Sequence, residues 1–218
     1  MLVVYLDPYF LGDPLFVPGL AQDVAARATG LVLVHGSGER GERALEALGR
    51  VPTSRDGVWE AEDDEGRGVV ERALRDLNRE IAHELNEAGV SAIRVMGADR
   101  GLIKRQGGTL TAGATGWLGS LVQQGVVAVV ASLVDGPDGP IEADPAQTAG
   151  LLADALGARL VLLTTRSVAA GGPVASLGDA VPDAAAAARA VAVPGSAVAG
   201  PRATLRQPEG PSVALTTA

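Results

Sequence analysis

The residues best suited to chemistry form a glycine turn at Gly36, Ser37 and Gly38. An apolar run at 31–34 predicts a buried strand of a parallel sheet before the turn, and a helical segment follows it. Glycines free the backbone for tight turning, so peptide N–H groups point beyond the strand, where an anion is the favoured ligand. With Arg40 close behind, the turn is a candidate site for a carboxylate, phosphate or sulfate. The alternative is an ordinary connection between a strand and a helix.

A second group of candidate residues follows the ends of other strands. Tyr5 and Asp7 end the first predicted strand, and Asp99 lies in a turn after a later one. Ligands bind at the carboxyl ends of strands in open α/β sheets, so we expect these side chains to gather beside Ser37. Asp7 would accept a hydrogen bond from a substrate amine and raise its nucleophilicity, with Tyr5 and Ser37 as further catalytic candidates. Asp99 would join the glycine turn and Arg40 in binding the substrate.

Such a site would suit displacement of an anionic leaving group, phosphate or sulfate, by an amine. The same side chains also have a purely structural interpretation. In that interpretation Tyr5 and Tyr9 are core or interface aromatics, Asp7 caps a turn and Arg40 begins a solvated helix.

Strands and helices alternate along the part of the chain that positions these residues. Strands are predicted at 2–6, 31–34, 91–96, 126–133 and 159–163, and helices at 21–28, 41–48, 69–85, 117–124 and 148–156. The clearest helix has an apolar residue at every fourth position: Val69, Ala73, Leu77, Ile81 and Leu85. This alternation predicts a three-layer αβα sandwich with a mostly parallel sheet.

The remaining segments are predicted from turn residues and composition. The polar stretch 55–67 is expected to be a loop or hairpin around Trp59, 107–116 a small hairpin, and 135–140 a turn. The residues Asp7, Pro8 and Tyr9 are expected to form a loop. An alanine-rich helix is predicted at 182–191, a loop with at most one strand at 194–206, and a frayed tail at 207–218. We expect one domain over 1–206.

Composition excludes several classes of function. The chain has 218 residues and a net charge of −8, so its field repels nucleic acid and anionic membrane surfaces. The apolar run 126–131 is far shorter than the ~20 residues of a membrane helix. The opening residues Met1 to Leu6 are apolar without a basic n-region, and Asp7 and Pro8 interrupt them, so we expect these residues not to act as a signal peptide. Cysteine is absent and histidine occurs twice, so we expect no metal centre, no cofactor and a cytoplasmic location.

Three segments carry a resemblance to a known family. They are LVLVHGSGERGERALEALG, VVERALRDLNREIAHELNEAGVSAIRVMGADRGLI and TAGLLADALGARLVLLTT, in that order along the chain. The chain resembles the amino-acid kinase superfamily, specifically the acetylglutamate kinases and the kinases that phosphorylate aminoadipate on an amino-group carrier protein. The resemblance implies an eight-stranded αβα sandwich, a homodimer built partly on the helix from Val69 to Leu85, and phosphoryl transfer from ATP to a carboxylate.

The chain departs from the family's pattern at groups that this chemistry needs. Where the resemblance implies a lysine and two glycines at the end of the first strand, the chain has Tyr5 and then Asp7 and Pro8. Ser37 interrupts the family's run of three glycines, Trp59 stands where a substrate-binding arginine is implied, and Gln147 replaces an aspartate. A further lysine has no counterpart near 171–173. Phosphoryl transfer depends on cations and donors around the migrating group, so we expect no kinase activity.

Three hypotheses about function follow. The first is a kinase-dead homologue that acts as a subunit of a heteromeric complex in amino-acid-derived biosynthesis, including secondary metabolism, with a small amino-acid-like substrate on a carrier protein. Its partner would be another subunit, or a second copy through the 69–85 helix. The second is the repurposed enzyme described above, and the third is a protein that binds or senses a small anion.

Overall fold

The computed structural model describes residues 1–25, 30–55, 58–61, 63–164, 191–194 and 213–214. Strands and helices alternate through most of them. In chain order the elements are β1 (Leu2–Leu6), α1 (Pro8–Leu11), α2 (Phe16–Ala25), β2 (Leu31–His35), α3 (Glu39–Ala47), β3 (Ser54–Arg55), β4 (Val58–Trp59), α4 (Asp64–Glu87), β5 (Ala92–Met96), β6 (Ile103–Gln106), β7 (Thr109–Ala112), α5 (Gly116–Gln123), β8 (Val127–Ala131), β9 (Leu133–Gly136), β10 (Gly139–Glu142), α6 (Pro145–Ala155), β11 (Arg159–Thr164), β12 (Val191–Pro194) and β13 (Val213–Ala214).

Seven of the described strands form the central sheet, in the spatial order β13, β12, β11, β1, β2, β8, β5. Its described pairs are parallel, except that β13 runs antiparallel to β12. The central strands β1, β2 and β8 are buried along their whole length, as is typical of a parallel sheet covered by helices on both faces. Three hairpins, β3 with β4, β6 with β7 and β9 with β10, are separate two-stranded sheets.

The central strands direct alternate side chains into two apolar layers. Val3, Val32 and Val130 belong to a cluster that also contains Leu118 of α5 and Leu152 of α6. Their neighbours along the strands join α2 and α4 in a second cluster, which includes Val4, Leu33, Val129, Phe16, Leu20, Leu77 and Ile81. This is the two-residue period of a β-strand. The predicted three-layer αβα sandwich with a mostly parallel sheet is therefore confirmed.

Helix α4 is longer than the helix predicted at 69–85. It begins at Asp64, because the side chain of Asp63 accepts a hydrogen bond from the backbone N–H of Gly66 at 2.8 Å and so caps the first turn. Its apolar stripe is buried against the rest of the same chain, and its exposed face carries charged residues. None of the described helices has the length and apolarity needed to cross a membrane.

The N-terminal elements differ from the sequence predictions in their bounds. Helix α1 begins at Pro8, where the sequence predicts a loop. Proline has no backbone N–H, but the N–H of the first helical residue has no partner within the helix, so proline is well suited to this position. Helix α2 begins at Phe16 rather than at residue 21, and the ring of Phe16 stacks on that of Phe10 with 5.2 Å between centroids. The stretch 55–67 divides into the β3–β4 hairpin and the first turn of α4.

Two further predictions were wrong in position. The hairpin expected at 107–116 spans 103–112, because Gly107 and Gly108, with φ of 57° and 89°, form its turn rather than its first strand. Val213–Ala214 pairs with β12, where a frayed tail was expected. The predicted helix at 182–191 lies outside the described residues, except for Val191, which begins β12. The predicted loop after Pro194 also lies outside the described residues.

Candidate functional site at the glycine turn

The glycine turn lies at the carboxyl end of β2, as the sequence predicts, and leads directly into α3. Gly38 has φ of 55°, a left-handed conformation that favours glycine. A Cβ atom on Gly38 would also lie 3.3 Å from Cβ of Pro8. The tight connection therefore depends on glycine at this position, and it brings the start of α1 against the turn.

The turn binds a carboxylate that belongs to the chain itself. Glu142, the last residue of β10, accepts a hydrogen bond from the backbone N–H of Ser37 at 2.6 Å and another from the Ser37 hydroxyl at 2.7 Å. Both Ser37 and Glu142 are buried, at 0% and 8% exposure. A Cβ atom on Gly36 would lie 2.7 Å from Oε1 of Glu142, so glycine is needed there too. A carboxyl group of the chain itself thus occupies the two donors of Ser37, where the sequence predicts an external anion.

Burial of Glu142 alters its ionisation. Loss of solvent raises the pKa of its carboxyl group to about 7, against the opposing effect of the hydrogen bonds from Ser37 and from the backbone N–H of Trp59. The nearby carboxylate of Asp144 adds to the rise. Near neutral pH, the carboxyl group in the turn therefore exists in both its charged and its protonated forms.

His35 supports the turn from below and is fully buried. Its Nδ1 lies 3.0 Å from the carbonyl oxygen of Gly36, and its Nε2 lies 3.0 Å from the side-chain nitrogen of Asn78. The same Asn78 nitrogen donates to the carbonyl of Val129 at 2.9 Å, which identifies it as a donor. Nε2 of His35 therefore accepts its hydrogen bond, and we assign the ring proton to Nδ1. Burial lowers the pKa of His35 to about 4, which keeps the ring neutral at pH 7. His35 is a structural residue rather than a proton carrier.

Trp59 covers the turn from the β3–β4 hairpin. Its indole Nε1–H donates to the carbonyl oxygen of Gly38 at 2.8 Å. Gly41 permits this approach, because a Cβ atom there would lie 2.7 Å from Cδ1 of Trp59 and would overlap Oγ of Ser37. The residue that stands where the resemblance implies a substrate-binding arginine is thus a packing residue with one hydrogen bond to the turn.

Arg40 lies beside the turn in an ion pair. Its Nη2 donates to Oε2 of Glu80 at 2.5 Å, with both side chains about two-fifths exposed. Arg40 and Ser37 together line a cavity of about 190 Å³ between α3, α4 and the segment that joins α1 to α2. Val17 and Leu77 give this cavity apolar walls, and Arg40 and Glu80 give it charges of both signs.

The other predicted site residues have separate environments. Tyr5 is buried in the apolar cluster beneath α5 and α6, as the structural interpretation of this residue expects. Asp7 is 7% exposed, and its carbonyl accepts the N–H of Phe10 at the start of α1. Asp99 is exposed and accepts a hydrogen bond from the N–H of Met96 at 2.7 Å. The side chain of Tyr9 lies outside the described part of the structure.

The structure therefore places Gly36 and Ser37 against Glu142, whereas Gly38 contacts Pro8 and Trp59. It also brings Ser37 and Arg40 to one cavity. Tyr5, Asp7 and Asp99 do not line that cavity. Their catalytic and substrate-binding roles stay predictions. The described residues contain no group of three or more histidine, aspartate and glutamate side chains placed to hold a metal ion.

Several features of the site were not predicted. Glu142 follows the turn cluster 135–140, where a charged residue is ordinarily exposed, so its residue type and spacing carried no signal. Asn78 is a polar residue among the apolar positions of α4, and this departure from the pattern was the signal that it has a buried partner. The sequence contains one lysine, Lys104, and it lies exposed on β6.

Asp144 has a local role beside Glu142. Its side chain accepts the backbone N–H groups of Ala146 at 2.8 Å and Gln147 at 3.0 Å, which caps the start of α6. Donors at this helix N-terminus, which an external anion would otherwise engage, therefore bind an internal carboxylate, as at the glycine turn.

Comparison with known proteins identifies relatives at the level of sequence. A model described as the Amino acid kinase family matches residues 12–167. An acetylglutamate kinase of Roseiflexus sp. (strain RS-1) is 32% identical over 176 residues, which cover 75% of this chain and 67% of that protein. An acetylglutamate kinase of Prochlorococcus marinus (strain NATL2A) is 36% identical over 148 residues, covering 62% of this chain and 48% of the relative. The chain thus spans about half to two thirds of these relatives.

Solved structures agree on the fold. An isopentenyl phosphate kinase superposes with a TM-score of 0.69 at 16% sequence identity, covering 94% of this chain and 95% of that one. An N-acetylglutamate synthase from Neisseria gonorrhoeae superposes with a TM-score of 0.62 at 21% identity, covering 78% of this chain and 42% of the other. At these identities the similarity shows a shared fold.

Proposed function

The chain belongs to the amino acid kinase family, and from that premise we propose that it does not transfer phosphoryl groups from ATP but acts as a subunit beside a partner protein in amino-acid-derived biosynthesis. The observation that carries this proposal is the pair of hydrogen bonds from Ser37 to Glu142. Through these bonds the Glu142 carboxyl group occupies the place where a glycine turn would stabilise a migrating phosphoryl group.

The charges around the turn support the absence of transfer. A phosphoryl group in transit carries negative charge that cations and backbone donors must stabilise. At the end of β1 this chain has the buried residues Tyr5 and Asp7, and its single lysine, Lys104, is exposed on β6. A charged Glu142 would repel a phosphoryl group in the turn, and a protonated one would still block it.

The proposal of a partner protein rests on a kinase fold that lacks the groups for kinase chemistry. Folds persist when their active sites are lost if the surface still serves an assembly. A substrate bound to a carrier protein would fit such an assembly, since the acetylglutamate kinases that this chain resembles are named for an amino-acid substrate. The partner, the carrier and the pathway belong to this proposal.

Calorimetry and gentle purification test the two halves separately. Titration with ATP and Mg²⁺ should give no heat of binding, while an acetylglutamate kinase titrated in parallel gives a clear isotherm. Micromolar binding of ATP would contradict the loss of catalysis. Purification from the native host at low salt should yield a complex with a different polypeptide, and a monodisperse homodimer with activity of its own would contradict the subunit role.

The cavity lined by Ser37 and Arg40 favours one alternative, the binding of a small amino-acid-like ligand. At about 190 Å³ it is smaller than the ~300–1,000 Å³ of pockets for drug-sized ligands. A ligand carboxylate would compete with Glu80 for Arg40, and an ammonium group would approach Glu80. Thermal-shift measurements against the amino acids test this alternative. A stabilising ligand should lose its effect in Arg40→Met, and if no amino acid stabilises the protein the alternative fails.

A further inference from the structure

A second cavity lies beside Glu142, between two hairpins and the start of α6. It has a volume of about 150 Å³, and the β6–β7 hairpin, the β9–β10 hairpin and the first turn of α6 enclose it. Leu110 and Val134 line it with apolar groups, and Glu142, Asp144 and Arg105 line it with charged ones. We call this space the Glu142 cavity. It shares no lining residue with the cavity beside the glycine turn described above.

The carboxyl group of Glu142 has no positive charge against it. Glu142 is 8% exposed, and it accepts hydrogen bonds from the N–H and hydroxyl of Ser37 and from the backbone N–H of Trp59, all of which are neutral donors. No ion pair among the described residues includes Glu142. Its charged neighbour is the carboxylate of Asp144, which disfavours ionisation of Glu142. Because a buried carboxylate without a cation is costly, a cation in the cavity would be stabilised there.

The size and the lining of the cavity select the kind of cation. A water molecule takes up ~30 Å³ in the liquid, so the cavity holds a ligand of about five non-hydrogen atoms. A metal ion fits poorly, because Ca²⁺ takes roughly six to eight oxygen ligands and the described residues contain no group of three or more histidine, aspartate and glutamate side chains placed to hold a metal. An ammonium group can donate to two carboxyl groups, and a short carbon chain attached to it would pack on Leu110 and Val134.

We propose that the Glu142 cavity binds a small primary amine, whose ammonium group lies between the carboxyl groups of Glu142 and Asp144. This inference rests on the proposed loss of phosphoryl transfer, because it requires Glu142 to stay in the glycine turn, and it names the class of small molecule that the altered site takes. Simple amines and amino acids share the ammonium group. Arg105 is exposed at the same cavity and would bind the carboxylate of an amino acid.

Calorimetry with ethanolamine, β-alanine and ethylene glycol tests this inference. Ethylene glycol is the matched control, because it differs from ethanolamine in having a hydroxyl group where ethanolamine has its ammonium group. In an amine-free buffer at pH 8, ethanolamine should bind at least tenfold more tightly than ethylene glycol. Tighter binding of β-alanine than of ethanolamine, lost in Arg105→Met, would identify the ligand as an amino acid, and weaker or equal binding would identify it as a simple amine.

The affinity for an amine should depend on pH, because the ammonium group requires an ionised Glu142. Burial raises the pKa of Glu142 to about 7, so its carboxyl group is mostly protonated at pH 6 and mostly ionised at pH 8. The affinity for ethanolamine should therefore rise about tenfold between these pH values. Asp144 and Arg105 are the other charged residues that line the cavity, and the glycine turn and Trp59 present neutral donors to Glu142.

Variants separate the cavity from general electrostatics. Glu142→Gln keeps the shape of the carboxyl group and should weaken ethanolamine binding at least tenfold at pH 8. Asp144→Asn should weaken it severalfold, while the asparagine oxygen still caps α6. The matched control is Asp135→Asn, which changes the net charge equally on the exposed part of β9 outside the cavity and should alter binding less than twofold. Thermal melts of all variants establish that they are folded.

Four outcomes overturn the inference: no binding of either amine, equal binding of ethanolamine and ethylene glycol, equal effects of Glu142→Gln and Asp135→Asn, or binding of K⁺ as tight as that of ethanolamine. These outcomes leave the absence of phosphoryl transfer untouched. ATP-dependent transfer by the purified chain would instead contradict the proposed function, whatever the amines do.

Discussion

Replacing Glu142 with glutamine removes the carboxyl group from the glycine turn while keeping its shape. The glutamine oxygen accepts the N–H of Ser37, and its NH₂ donates to the Ser37 hydroxyl, which turns to accept. The variant therefore tests the ionisation of Glu142 with little change in packing. The expected result is a change in how stability depends on pH.

The magnitude follows from the pKa of Glu142. Burial raises it from 4.5 to about 7 in the folded chain, while the unfolded chain keeps the ordinary value. Between these pH values the folded state binds the extra proton, so this carboxyl group's contribution to stability is complete below pH 4.5 and is lost as pH rises through 7. At about 1.4 kcal/mol for each pKa unit, the loss is about 3 kcal/mol.

His35 makes the free energy of unfolding depend on pH in the opposite direction. Its pKa falls from 6.5 to about 4, so the unfolded state binds the extra proton and stability rises with pH between those values. In the native chain the trends from His35 and Glu142 largely cancel across pH 4.5 to 6.5. In Glu142→Gln, the rise from His35 is left unopposed.

Urea unfolding of both proteins at half-unit steps from pH 4.5 to pH 8 measures this effect. The free energy of unfolding of Glu142→Gln minus that of the native chain should increase by about 3 kcal/mol over the range. Contributions from all other groups cancel in this difference as long as the m-values agree. A difference that stays constant with pH would refute the buried, raised-pKa carboxyl group in the turn.

Three further substitutions, the first with a control variant, test the packing around the turn. Gly41→Ala should destabilise the chain by about 1–3 kcal/mol in thermal melts, because its methyl group overlaps the Ser37 hydroxyl and the indole of Trp59. The control Gly68→Ala has open space at its Cβ position in α4 and should stabilise the chain by about 0.5–1 kcal/mol. Equal effects of the two substitutions would contradict the crowding at Gly41. Asn78→Ala should cost about 1–3 kcal/mol in urea unfolding by leaving buried acceptors unpaired, and a neutral result would show that water replaces the amide. Trp59→Phe should cost about 1 kcal/mol through its lost hydrogen bond, and no loss would show that this bond adds nothing.

The layered fold could be predicted from sequence because its signals are local. Strands β1, β2 and β8 are apolar runs next to glycine or proline, and α4 repeats its apolar residues every four positions. Errors occurred where a local signal had two meanings. Pro8 ends a strand and therefore predicts a loop, but proline also suits the first turn of a helix, which is what it begins here.

The contents of the site could be predicted only in part. The glycine turn was located from its own residues, but Glu142 reaches Ser37 from 105 positions along the chain. No pattern near Glu142 distinguishes a buried carboxylate from an exposed one at the end of a hairpin strand. Arg40 was predicted to bind an anion, and the carboxylate beside it belongs to Glu80 on a helix that only the folded packing brings close.

The central claim is that the glycine turn, filled by Glu142, no longer supports phosphoryl transfer. It is tested most directly by trapping an acyl phosphate with hydroxylamine. The purified chain, separated from any co-purifying partner, is incubated with ATP, Mg²⁺ and N-acetylglutamate, aminoadipate, glutamate or aspartate, and an active acetylglutamate kinase is assayed in parallel. The account predicts no ATP-dependent hydroxamate above the blank from the chain alone with any of these acceptors. ATP-dependent hydroxamate formation by this chain alone would contradict it.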